Sequence, residues 1–219
     1  TAGSVADVIA SDARVRIQGR IPLHYLVSDK TGAAATIEYL EGTLVARAGA
    51  TLPAAVLANE TYASSLAFTE ARRGQTPRGS GSHERFARVY AALPAIASAG
   101  DGAIERAFDT LGDVAQRNTR WSIVYDQTRG GIPWRTHDHA AVRSLRLASV
   151  DFSCGAAPLS IDVNAPISGD ARAHLRPLTL DANAALIEGS SRKTSFTRGT
   201  TADEIASQAR YGFSASCAS

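Results

Sequence analysis

The stretch PLHYLVSDKTGAAATIEYLEGTLVA, residues 22–46, decides the fold. It consists of short runs rich in β-branched and aromatic residues, separated by the turn-forming sequences DKTG and EG. These runs predict antiparallel strands, joined by hairpin turns at Lys30 to Gly32 and at Glu41 to Gly42. AAVLANE, residues 54–60, has the same character, so we expect four strands in succession.

The segments around this stretch predict an α+β fold. Ser4, followed by Asp7, predicts a capped short helix that ends near Ser11. After the first strands the chain becomes rich in Ala and Leu, which predicts helices in YASSLAF, ERFARVYAALPAIASA and IERAFDTLGDVAQ. A linker rich in Gly, Ser, Pro and Arg separates the first two of these. Strands return in RWSIVYDQ, GIPWRTHD and VRSLRLASVDF. Because strands and helices occur in blocks rather than in alternation, a doubly wound parallel sheet is disfavoured.

Length and composition favour one globular domain over residues 1–219. The 219 residues are 44% apolar, and no apolar run is long enough to span a membrane. We expect residues 153–219 to form an irregular extension packed on that domain, with one helix at Asp181 to Ile187. The net charge of +2 comes from scattered basic residues, so neither nucleic acid nor a membrane is an expected partner.

The two cysteines bear on the cellular compartment, and the absence of methionine bears on processing. Cys154 and Cys217 could form a disulfide in an oxidising compartment such as a periplasm, or could be two buried thiols. The sequence contains no Met, so we expect a processed, trimmed or subunit chain.

Familiar catalytic and metal-binding patterns are scarce. The sequence has no Walker-type loop, paired CxxC, HExxH or GxSxG. His137 and His139 flank Asp138, but two histidines without further ligands make a poor zinc site, so no metal or cofactor is expected. His24 and Asp29 could join a serine in a hydrolytic triad, yet no elbow singles out a serine, and we disfavour this interpretation.

Four longer blocks resemble one enzyme family, and they occur in its order. They are residues 22–46, LPAAVLANETYASSLA, SGSHERFARVYAAL, and the run from Thr119 to Phe152. Together they resemble the choloylglycine hydrolase and penicillin V acylase family. The resemblance covers about Ser4 to Phe152. It implies an αββα sandwich and hydrolysis of a linear amide by an N-terminal cysteine, whose α-amine transfers the proton.

The resemblance also implies two site residues. Asn59 matches the asparagine that lies beside the substrate carbonyl and stabilises the oxyanion. Arg85 matches the arginine that lies against the nucleophile, where a fixed positive charge favours thiolate. Without the resemblance, Asn59 would be a turn or helix-cap residue and Arg85 a surface guanidinium.

The chain departs from the family pattern at its beginning. Family members carry the nucleophilic cysteine on a first strand, whereas this chain starts at Thr1, directly ahead of a helix. We therefore expect a companion N-terminal chain that supplies the cysteine, and hence a heterodimer or larger oligomer. Two alternatives are a hydrolase that uses Thr1 as its nucleophile and a non-catalytic scaffold or binding protein that keeps the fold.

The short segment between Asn59 and Arg85 resembles the penicillin V acylases of Gram-negative bacteria, members of which also cleave acyl-homoserine lactones. This branch implies a small N-acyl amide as substrate and a periplasmic or secreted protein.

Overall fold

The computed structural model describes residues 2–15, 23–75 and 77–214. Its contacts divide the chain into two compact units, Thr1–His137 and Asp138–Ser219. Both units contain helices and strands, so the α+β class predicted from the sequence is confirmed. The expectation of one domain over residues 1–219 stays a prediction.

The first unit contains a sheet of three antiparallel strands, which follows a short N-terminal helix. They are β1 (His24–Ser28), β2 (Ala34–Leu40) and β3 (Thr43–Ala48), with β2 in the centre. In the register Tyr25 lies opposite Ile37, which in turn lies opposite Ala46. Both predicted hairpin turns are confirmed. In the second turn Glu41 and Gly42 have φ values of 51° and 78°, and this pair of positive φ values is typical of a type I′ hairpin.

The two faces of this sheet differ in chemistry because strand side chains alternate. One face carries Ala35 and Ile37, which are buried with Val5 of the helix α1 (Val5–Ala10). The other face carries Thr36 and Glu38, which are also buried although they are polar. Ser4 caps α1 as predicted, since its hydroxyl accepts a hydrogen bond from Asp7 N at 3.1 Å.

The fourth predicted strand, at residues 54–60, is wrong. This segment has no strand partner and runs as an irregular loop toward the helix α2 (Tyr62–Ala71). Its alternating apolar residues are real, but Ala54 and Val56 bury themselves against Tyr62 and Phe86 instead of extending a sheet. The period of two therefore reports burial here rather than strand pairing.

The predicted helical block is confirmed. After α2 come α3 (Ser82–Ala97) and α4 (Ala103–Asp113), with the predicted linker between α2 and α3. The rings of Tyr62 and Phe86 meet edge to face, with their centroids 5.8 Å apart. This contact joins α2 to α3; α3 carries residues of the site described below, and the loop that leads into α2 carries another.

An antiparallel pair of strands closes the first unit. The strands are β4 (Trp121–Ile123) and β5 (Gly131–Thr136), as the sequence predicts. Arg135 of β5 donates a hydrogen bond from Nη2 to the carbonyl oxygen of Phe108 in α4 at 2.7 Å. Gln127, in the turn between the strands, donates to the hydroxyl of Ser28 at 2.9 Å. These bonds tie the pair to α4 and to the end of β1.

The second unit contains more regular structure than the sequence predicted. Short strands β6 (Arg143–Arg146), β7 (Leu159–Ser160), β8 (Gly169–Asp170) and β9 (Arg176–Pro177) precede the helices α5 (Leu180–Lys193) and α6 (Ala202–Tyr211). The predicted helix at Asp181 to Ile187 lies within α5, which begins one residue earlier and continues six residues further. Besides the predicted helix, residues 153–219 contain a second one, α6, whose Ile205 and Ala209 are buried. The expectation that these residues form an extension packed on one domain stays a prediction.

Helix α6 begins with a capping box that is recognisable in the sequence but was not used to predict the helix. The hydroxyl of Thr201 accepts a hydrogen bond from Glu204 N, while the Glu204 carboxylate accepts one from Thr201 N, which forms a capping box. No helix in the described ranges is long and apolar enough to cross a membrane.

Candidate active site

Asn59 and Arg85, the two residues expected at the site, contact each other directly. Arg85 Nη2 donates a hydrogen bond to Asn59 Oδ1 at 2.6 Å. Asn59 lies in the loop before α2, and Arg85 lies in the first turn of α3. A guanidinium can donate through several N–H groups, and Arg85 Nε also donates to the Ser80 carbonyl oxygen at 3.3 Å.

This contact fixes the orientation of the Asn59 amide. Because Oδ1 accepts from a guanidinium, the other end of the amide, Nδ2, presents its two N–H groups elsewhere. Within the described part of the chain, Nδ2 has no hydrogen-bond partner, and Asn59 is exposed. An amide held in this way can donate to an oxygen that gains negative charge.

Ser82 fixes the backbone at the same point. Its hydroxyl oxygen accepts hydrogen bonds from Asn59 N at 2.9 Å and from Glu60 N at 2.8 Å. Ser82 is the first residue of α3, so α3 holds Asn59 through both its backbone and its side chain. Ser82 was not predicted as a site residue, although the sequence places it at a helix start, three residues before Arg85.

The linker before α3 is held by neighbouring side chains. Arg88 Nη1 donates to the Gly79 carbonyl oxygen at 2.7 Å, and Gln116 Nε2 donates to the Ser80 carbonyl oxygen at 3.2 Å. Because Ser80 also accepts from Arg85, α3 and the segment after α4 both restrain the linker. The Arg85 side chain therefore has a fixed carbonyl neighbour as well as Asn59.

His24 and Asp29, the residues of the disfavoured triad, do not contact each other. His24 Nδ1 lies 3.5 Å from Glu38 Oε1, whereas Asp29 accepts hydrogen bonds from Thr31 and from Val5 N. The hydroxyl and backbone donors of Thr31, with that of Val5, lower the pKa of Asp29 to about 2. Asp29 is thus an ionised structural group that holds the start of α1. This role agrees with the decision against a triad.

The structure pairs one serine with a histidine outside that triad. The Ser64 hydroxyl lies 2.8 Å from His83 Nε2 on the exposed side of α2 and α3, and the His83 ring stacks on Phe68. No carboxylate orients His83 within the described residues, so this pair joins the two helices without completing a triad.

A metal centre gains no support from the described residues. Among them, no group of three or more His, Cys, Asp or Glu side chains is placed to hold a metal ion. The segment His137 to His139 therefore gives no such group within this part of the chain. Two further sequence hypotheses, the Thr1 nucleophile and the bridge from Cys154 to Cys217, depend on Thr1 and Cys217, which lie outside the described residues.

The first unit also contains clefts away from this contact. One of them has a volume of about 640 Å³ and lies between α3, α4 and the turn after β4. Its lining is apolar at Ile104 and Val124 and charged at Asp101 and Arg129. Asn59 and Arg85 do not line it, and their hydrogen bond is exposed at the surface of the described chain.

Comparisons with known proteins give matches in structure only. No protein-family model matches the chain, and neither does any curated protein sequence. Penicillin V acylase from Agrobacterium tumefaciens matches with a TM-score of 0.70 and 22% identity, over 80% of this chain and 63% of that one. This chain shares the fold of penicillin V acylase. The resemblance inferred from the four sequence blocks is confirmed at the level of fold.

Two structures of a second enzyme agree with this match. They are a mutant and a variant of conjugated bile acid hydrolase from Clostridium perfringens, with TM-scores of 0.53 and 0.56 and identities of 17% and 18%. Each match covers 68% of this chain and 59% of that one. The chain therefore spans about three-fifths of the length of the solved structures that it matches.

Proposed function

We propose that this chain is part of a linear amide hydrolase of the choloylglycine hydrolase and penicillin V acylase family, with the αββα sandwich of that family. The observation that carries the proposal is the hydrogen bond from Arg85 to Asn59, which leaves the Asn59 Nδ2 group available as a donor. The shared fold of penicillin V acylase supports it.

The reaction begins when the α-amino group of an N-terminal cysteine on a companion segment takes the thiol proton and the sulfur attacks the carbonyl carbon of an N-acyl amide. The carbonyl oxygen gains negative charge, and Asn59 Nδ2 donates a hydrogen bond to it. Arg85 keeps Asn59 oriented, and its positive charge favours the thiolate form of the nucleophile.

Collapse of the tetrahedral intermediate breaks the C–N bond, and the amine leaves with a proton from the α-amino group of the cysteine. Water then attacks the thioester, which releases the carboxylic acid and restores the thiol.

The proposed substrates are penicillin V or acyl-homoserine lactones, cleaved in a periplasmic or secreted enzyme. The companion segment makes the enzyme a heterodimer, or an oligomer of such pairs. None of these features requires a cofactor.

The test begins with the purified protein and any chain that copurifies with it. Intact mass and N-terminal sequencing should reveal a second chain that begins with Cys, and the complex should release phenoxyacetate from penicillin V or fatty acid from an acyl-homoserine lactone. A lone 22.9 kDa species without activity on either substrate would favour the scaffold, and activity of that lone species would favour the Thr1 nucleophile.

A further inference from the structure

The loop that carries Asn59 lacks the strand partners that would hold an extended segment, so its position depends on individual contacts. Tyr62, at the end of this loop, provides two of them. Its buried hydroxyl donates to the Ala54 carbonyl oxygen at 3.0 Å and accepts from Ala54 N at 3.2 Å. Burial raises the pKa of Tyr62, so the hydroxyl keeps its proton at neutral pH. Tyr62 thereby closes the loop from residue 54 to residue 62.

Tyr62 is itself held by a carboxylate on the sheet. Its backbone N–H donates to Glu38 Oε1 at 3.0 Å, and the Glu38 side chain is only 1% exposed. The other carboxylate oxygen, Oε2, accepts from Arg47 Nη1 at 2.5 Å. Because Tyr62 is the first residue of α2, Glu38 satisfies an N–H group that has no acceptor within the helix.

Stability alone does not explain why Glu38 and Arg47 form a largely buried ion pair. Removing a carboxylate and a guanidinium from water costs about as much as their attraction returns, and apolar replacements of similar volume are often as stable. Glu38 and Arg47 nonetheless lie on neighbouring strands, beneath the start of α2. The feature that an apolar pair could not supply is the acceptor for Tyr62 N–H, three residues after Asn59.

We propose that Glu38 is a positioning residue for Asn59, because its carboxylate holds the start of α2 and thereby the end of the loop that presents the Asn59 amide. The inference rests on the proposed function for its catalytic consequence. The positioning itself can be measured without substrate.

Two variants separate the acceptor from the charge. Glu38→Gln combined with Arg47→Leu keeps an oxygen that can accept from Tyr62 N–H but removes both charges, so that no guanidinium faces the amide. The double leucine variant, Glu38→Leu with Arg47→Leu, removes the acceptor and leaves no buried charge without a partner. Glu70→Gln serves as the matched control, because Glu70 also pairs with an arginine but lies 53% exposed near the other end of α2.

The first measurement is hydrogen exchange of the backbone amides of residues 54–60 in the purified protein with any copurifying chain. The double leucine variant should exchange about tenfold faster in this segment, since the loss of one hydrogen bond changes an opening equilibrium by about that factor. Glu38→Gln with Arg47→Leu, and Glu70→Gln alone, should match the wild type. Unchanged exchange in the double leucine variant overturns the positioning role, whatever the activity.

The second measurement separates positioning from general stability. In the double leucine variant kcat should fall at least about tenfold, with KM within about threefold and little change in Tm, because a displaced Asn59 weakens only the transition-state contact. Faster exchange with unchanged kcat overturns the catalytic consequence, and so does a fall in Tm that accounts for the whole loss. A wild-type protein that cleaves no amide overturns the proposed function, while the exchange result still decides whether Glu38 holds the loop.

Discussion

Arg85 Nη2 and Asn59 Oδ1 lie 2.6 Å apart, although 26 positions separate these residues in the sequence. The hydrogen bond joins the first turn of α3 to the loop before α2. It also determines which end of the Asn59 amide can act as a donor. The first two predictions test the two partners of this bond.

Replacing Arg85 with Ala should lower kcat for amide hydrolysis about 100-fold, because Asn59 loses its orienting donor and the nucleophile loses a nearby positive charge. Arg85→Lys should recover only part of the rate, since an ammonium keeps the charge but lacks the planar fork that contacts both Asn59 and Ser80. Steady-state kinetics with penicillin V provide the measurement.

The matched control for Arg85 is Arg73→Ala. The Arg73 side chain is 79% exposed just after α2, and its Nη2 lies 4.0 Å from Glu70 Oε1. Because such an exposed pair contributes little, Arg73→Ala should leave kcat unchanged. Equal rates for Arg85→Ala and the wild type would remove the proposed role of Arg85.

Asn59→Asp separates the acceptor of this amide from its donor. The aspartate keeps an oxygen for Arg85, so the loop and the contact should persist, but the N–H groups are gone. We expect kcat to fall by about 100-fold or more with a similar KM, because the lost donor acts on the oxyanion of the transition state. Circular dichroism and Tm should match the wild type. A variant that retains wild-type kcat would show that Nδ2 does not contact the oxyanion.

Local patterns sufficed to predict most of the strands and helices of the first unit. Turn residues such as Gly42 and the helix cap at Ser4 act over a few positions, so the sequence alone identifies them. Residues 54–60 have the same alternation as a strand, but a strand also needs a partner, and the sequence alone does not reveal one. Helix α6 was missed although Thr201 and Glu204 form a recognisable capping box.

The site was less predictable than the fold. Asn59 and Arg85 were identified through resemblance, because neither residue type is unusual in a loop or at a helix start. Glu38 was missed for a physical reason. An alternating strand predicts that its polar residues face water, whereas here the polar face is also covered, and Glu38 is buried beneath α2.

Asp29 predicts an acid-sensitive attachment of α1. Its pKa is lowered from the usual 3.8 to about 2, first by the Thr31 hydroxyl and then by Val5 N–H. The folded state thus favours the ionised carboxylate, and this stabilisation is fully present above about pH 4 and is lost as the pH falls toward 2. We expect the difference in free energy of unfolding between the wild type and Asp29→Asn to shrink across this range.

Urea unfolding at pH 5, 4, 3 and 2 measures this difference for Asp29. Subtracting the free energy of unfolding of the variant from that of the wild type removes the contributions of other carboxylates, because these titrate in both proteins. A difference that is constant from pH 5 to pH 2 would contradict the structural role of Asp29.

The turn between β2 and β3 predicts a stabilising substitution. Glu41 has a φ of 51°, which is unfavourable for a residue with a long side chain, and it precedes Gly42 at 78°. Asn tolerates positive φ, and Asn-Gly is the preferred pair for this type of turn. Glu41→Asn should therefore raise the free energy of unfolding by about 0.5 kcal/mol, as measured by urea titration.

Gly42→Ala is the opposite test at the neighbouring position. A Cβ at Gly42 would meet no atom within 4 Å, so any loss of stability must come from the backbone conformation rather than from a clash. The expected loss is about 1 kcal/mol, because a side chain disfavours positive φ. If Glu41→Asn lowered stability while Gly42→Ala had no effect, this turn would not have the conformation described, and the register that pairs Glu38 with Val45 would be in doubt.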